Sequence, residues 1–208
     1  MRLARGLLLH DSVWVRFLAL WVGVAAAFVI AWVVSCAWLP EGMLRGIFPG
    51  SRLAGGATTE RTFVAEWLRI AGVNLASAGL VTGVASLVET EGGFSLGYLV
   101  PLWNALLYGA FLGTNSFAIP IPQGRMAPSF VVFGRSGIYE ITAYVLLAVS
   151  LRGLARYRIL GHWWSFRQQL VRIEPPGLRR QEWLGVVLAL ALLLAANARE
   201  ALQAMQLT

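Results

Sequence analysis

The stretch FLALWVGVAAAFVIAWVVSCAWL, residues 17–39, carries no charge and is long enough to cross a hydrocarbon core, which takes roughly 20 apolar residues in a helix. Similar stretches follow along the chain. It therefore reads as all-α: a polytopic membrane helix bundle of about five transmembrane helices in a single membrane domain, with interfacial amphipathic segments. The spans are expected over residues 17–39, 63–88, 94–117, 128–151 and 181–205. Composition agrees, since 58% of the residues are hydrophobic and the mean hydropathy is +0.67, against an apolar share of about 45–50% in soluble domains.

The formal charge of +7 comes entirely from arginine, because the chain has no lysine. The arginines sit between the apolar stretches rather than on a soluble face, which sets topology and argues against a nucleic-acid binder. Residues 152–180 collect Arg152, Arg156, Arg158, Arg167, Arg172, Arg179 and Arg180 around His162, Trp163, Trp164 and Phe166, a mixture that belongs at the headgroup level of the cytoplasmic side. Counting back four spans puts the amino terminus, with Arg2 and Arg5, on the same side. The carboxyl terminus, the loop from Pro40 to Arg61 and the turn from Pro120 to Arg125 are then expected outside the inner membrane. Residues 1–16 read either as a short amphipathic interfacial helix or as a frayed terminus.

Small residues mark helix contacts in membranes. Gly72, Ala76, Gly79 and Gly83 lie along the second span, Gly109 and Gly113 along the third, and the two spans are expected to cross through these faces. Gly137 joins this helix-packing set at the start of the fourth. Pro101 either kinks the third span or sits in its first turn.

The sharpest candidate for chemistry is Glu140, in Gly134-Arg135-Ser136-Gly137-Ile138-Tyr139-Glu140. An isolated carboxylate in hydrocarbon protonates rather than keep its charge. On a helix Ser136 and Tyr144 lie one turn on either side of Glu140, and Arg135 points elsewhere. Asn74, Asn104 and Asn197 either line a polar path with Glu140 or bridge helices. Glu140 itself is open to two roles, a clamp between helices or a proton, ion or substrate site. No metal set, cofactor motif or catalytic constellation emerges. His10 and His162 are isolated, the lone Cys36 excludes an intrachain disulfide, and no serine or glycine loop has a nucleophile-elbow or phosphate-cradle context.

In feature order, the chain from Phe63 to Met205 resembles the stage II sporulation protein M family of membrane proteins. The matching stretches are Phe63 to Val88 with Asn74, Gly93 to Gly113, Arg135 to Glu140, and Ala198-Arg199-Glu200-Ala201. Gly137 and Glu140 carry over from the family's proline-histidine-glycine-x-x-glutamate motif, whereas Arg135 stands at its proline and Ser136 at its histidine. The resemblance implies a scaffold that joins partner proteins at the membrane. The expected function is thus a noncatalytic membrane subunit packing with other membrane proteins or with copies of itself in the lipid bilayer. The alternative is a permease or channel component built on Glu140.

Overall fold

The computed structural model describes residues 2–47, 62–116, 124–129, 137–161 and 168–206. Helix α1 (Arg2–Leu8) leads into α2 (Val13–Trp38); α3 (Phe63–Asn74) runs through a π-helical turn (Leu75–Leu80) into α4 (Val81–Ser86). Strand β1 (Val88–Thr90) and a 3-10 turn (Leu96–Tyr98) precede α5 (Leu99–Thr114). Helix α6 (Gly137–Ser150) ends in a 3-10 turn (Leu151–Leu154), and strands β2 (Tyr157–Leu160) and β3 (Gln169–Arg172) lead to α7 (Arg180–Gln206). Five of these helical segments are long and apolar enough to cross a membrane: Val13–Trp38, Phe63–Ser86, Leu96–Thr114, Gly137–Leu154 and Arg180–Gln203.

Helix α2 buries Val13, Arg16, Leu20, Val24, Phe28, Trp32 and Ser35, a three-to-four-residue spacing that draws one stripe down its side. That stripe packs mainly on α5. A side chain at Gly109 would collide with the Phe28 carbonyl, and one at Gly113 with the Ser35 hydroxyl and the Cys36 and Trp32 backbone. The expected crossing of the second and third spans through their glycines is therefore corrected, because the third span's glycines admit the first span instead. Gly72 and Gly83 would meet nothing within 4 Å, and Gly79 only Leu75 of its own helix. Gly137 does pack, its hydrogen facing the Tyr108 ring where a Cβ would stand 2.6 Å from it. Pro101 is buried in the first turn of α5 and makes no kink, as its missing N–H permits.

Two further expectations change. The fourth span does not begin at Pro128: residues 124–129 are not helical, and the Met126 carbonyl accepts a hydrogen bond from Trp32 Nε1 at 2.8 Å. Nor is the fold purely helical, since β1, β2 and β3 form a sheet in that order, β2 parallel to β1 and antiparallel to β3. The residues read as a polar break and an interfacial loop supply these strands. Tyr157, Ile159 and Val171 favour a pleated surface, and the sheet pairs backbone groups where three spans emerge. Its register sets Glu89 opposite Arg158, which forks onto one Glu89 oxygen at 2.8 and 2.5 Å.

Successive spans alternate in direction, so the bundle has two ends. At one, the Tyr98 hydroxyl donates to Leu8 O and Arg16 reaches Val149 O and Glu182. At the other, Glu41 accepts from Asn115, and Asn74 meets Asn197.

A candidate polar site within the bundle

Thr62 caps α3, its hydroxyl accepting from Ala65 N, and the helix carries Glu66, Arg69 and Asn74 toward α6 and α7. Arg69 forks onto Glu66 with Nε at 3.0 Å and Nη2 at 2.5 Å from its two oxygens. The Asn74 amide then donates twice, to Glu140 Oε1 at 3.0 Å and to Asn197 Oδ1 at 2.7 Å. One side chain thereby ties three helices. Glu200, one turn beyond Asn197 on α7, lies within hydrogen-bonding reach of Glu140, and the Arg199 guanidinium sits 5.3 Å from the centre of the Tyr139 ring. From Glu140 to the end of its span at Leu154 is roughly 21 Å at 1.5 Å per residue. That is about two thirds of a hydrocarbon core near 30 Å thick.

Of the residues anticipated for this site, Glu140 and Asn74 are brought together. Asn104, half-buried on α5, forms no side-chain hydrogen bond with any described residue. Arg135 and Ser136 lie outside the described residues, as does His162. The view of Glu140 as a lone carboxylate is corrected by Glu200, which shares its surroundings although 60 positions separate the two numbers. The available signal was spacing: Asn197 and Glu200 share one face of α7 at i and i+3.

A second polar centre lies at the opposite end. Arg16 and Glu182, 2% and 4% exposed, form an ion pair at 2.6 Å. Arg16 also donates to Val149 O at 3.2 Å, His10 O at 2.9 Å and Asp11 O at 3.2 Å. The other Glu182 oxygen accepts from Arg179 N at 3.0 Å, closing the first turn of α7, where a carboxylate also meets the positive end of the helix dipole. Arg179 in turn reaches Asp11. This knot seats the amino-terminal segment on α6 and α7. Around it, Gly97 and Gly185 leave room for the Ser86 and Ser150 hydroxyls, and Gly153 for the Gly177 carbonyl.

Among the described residues no group of three or more histidine, cysteine, aspartate or glutamate side chains could hold a metal ion. His10 Nδ1 accepts from Ser12 N. No protein-family model, curated protein or solved structure matches the chain.

Proposed function

We propose that the chain is a noncatalytic subunit or scaffold of an inner-membrane complex, whose second span docks a helix of another membrane protein or of a second copy. One observation carries this reading. The glycines of α5 are filled by α2, whereas Gly72, Ala76 and Ser77 lie exposed on α3 and the π-helical turn with no atom within 4 Å of a Cβ at Gly72. Small residues on a lipid-facing surface let a neighbouring helix approach closely, and association in a bilayer depends on such packing. In this reading the Arg16 end, with the basic sheet and loop, faces the cytoplasm, as the arginine bias requires, and the carboxyl terminus lies outside. Kinship with the stage II sporulation protein M family belongs to the same proposal and rests on Gly137, Glu140, Asn74 and Glu200.

The test is a pair of bulky replacements, Gly72→Leu with Ala76→Leu, in the full chain expressed in its native membrane. The complex, followed by native gel after mild solubilisation, is expected to dissociate while the thermal unfolding of the isolated chain stays unchanged. An intact complex would overturn the docking face.

A second reading, a permease or channel component, is favoured by the convergence of Glu140, Glu200, Asn74 and Asn197 within one part of the bundle. Its distinguishing measurement is flux: Glu140→Gln should abolish it with the complex still assembled.

A further inference from the structure

We propose that Asn74, Glu140, Asn197 and Glu200 form a proton-binding site in the membrane, in which the two carboxyl groups share one exchangeable proton beside a water molecule held by the Asn197 amide. The first ground is geometric. Asn74 ties Glu140 to Asn197, Glu200 lies one turn beyond Asn197 on the same helix within reach of Glu140, and carboxylates offer only acceptors, so a bond between them needs a proton.

The second ground is an orphaned donor. Asn197 is fully buried, and its Nδ2 has no hydrogen-bond partner, although its Oδ1 accepts from Asn74. A buried amide N–H left unpaired costs about 1–3 kcal/mol, and a water is the small molecule that can accept from it and donate onward to a carboxyl oxygen. The same N–H group repels a bare metal cation. With Asn74 donating both its hydrogens to Glu140 and Asn197, the unused groups are a donor on one side and carboxyl lone pairs on the other. That is the complement of water, not of a metal.

Charge balance is the third ground. The titratable groups facing the pair are Glu66 and Arg69 from α3, Tyr144 from α6 and, behind Tyr144, Tyr108 from α5. Among these described residues three carboxyl groups, Glu66, Glu140 and Glu200, stand against the one guanidinium of Arg69, which is already forked onto Glu66. A proton shared between Glu140 and Glu200 removes one of the two negative charges left over. Its release leaves two carboxylates and a hydrated proton, with nothing oxidised or reduced. The π-helical turn opens directly after Asn74, an irregularity that frequently accompanies functional sites. The inference stands apart from the docking face, because a bound proton and a bound helix have separate readouts.

The test is infrared spectroscopy of the full chain in phosphatidylcholine vesicles at neutral pH. The wild type is expected to show a protonated carboxylic-acid C=O band that shifts in D2O. Glu140→Gln and Glu200→Gln should each remove it, because a glutamine amide can donate to the remaining carboxylate without a proton. Absence of such a band from the wild type overturns the site, as does a band that survives both replacements. A band lost in only one of them overturns the sharing. Should a glutamine variant fail to fold, Glu140→Asp, which withdraws the carboxyl group, must shift the band; an unmoved band contradicts the proposal.

Discussion

At the Arg16 end of the bundle, opposite charges meet; at the Glu140 end, two carboxyl groups do. Arg16 and Glu182 are nearly inaccessible and held by fixed acceptors and donors, three backbone carbonyls on one side and the Arg179 N–H on the other, with only Arg16 Nε left unbonded among their described polar atoms. Such a knot has one arrangement, and it holds the start of α2 to the end of α6 and the start of α7. Glu140 and Glu200 are half-buried, and Asn74, the neutral partner of Glu140, sits at the edge of an irregular helical turn. The contrast separates a centre that anchors from one that can change its occupancy.

The largest expected effect comes from breaking the anchor. Arg16→Met leaves Glu182 buried and unpaired, and removing one partner of such a pair costs about 3–5 kcal/mol. Thermal unfolding in detergent, followed by tryptophan fluorescence, should show that loss, and the double variant with Glu182→Leu should recover much of it. If the single replacement is neutral, the pair anchors nothing.

Next come the glycines. Gly113→Val drives methyl groups into the Trp32 and Cys36 backbone and should cost about 1–3 kcal/mol as overpacking does. Gly72→Ala meets open space and should be neutral or stabilise the isolated chain by up to about 1 kcal/mol through helix propensity. The same unfolding assay checks both, and equal effects would erase the distinction between the filled and open glycine faces.

Smaller effects belong to the Glu140 end. Asn74→Leu removes two interhelical hydrogen bonds, each worth about 0.6 kcal/mol on average in a membrane protein, so a total near 1 kcal/mol is expected in denaturant titration. Glu140→Gln preserves shape and hydrogen bonding and should change stability by less than about 0.5 kcal/mol. A loss comparable to that of Arg16→Met would make Glu140 an anchor as well.

What was legible in the residues follows the same division. Five spans and their alternation could be read because hydrocarbon-length apolar runs are a local property, and each helix falls close to its expected range except the fourth, whose described helix is Gly137–Ser150 while Pro128 and Ser129 are not helical. The sheet escaped because its strands are three or four residues long and paired across distant segments, leaving no periodicity to detect. Glu140 was visible as a charge in an apolar setting, but its companions Glu200 and Asn197 looked like the polar tail of the last helix. Arg16 and Glu182 each stood at the edge of an apolar run and resembled interfacial anchors. Only their pairing across 166 positions shows that they are buried together. The helix-packing glycines were recognisable as a class, yet which helix each one admits depends on tertiary placement.

The central claim is that the second span presents an open small-residue face to another protein. A photo-crosslinking side chain placed at Ala76 and, as a control, at Val22, an exposed residue of α2, tests it in native membranes. The account predicts a discrete protein adduct of defined mass from position 76 and lipid adducts alone from position 22. Lipid adducts alone from both positions would contradict it.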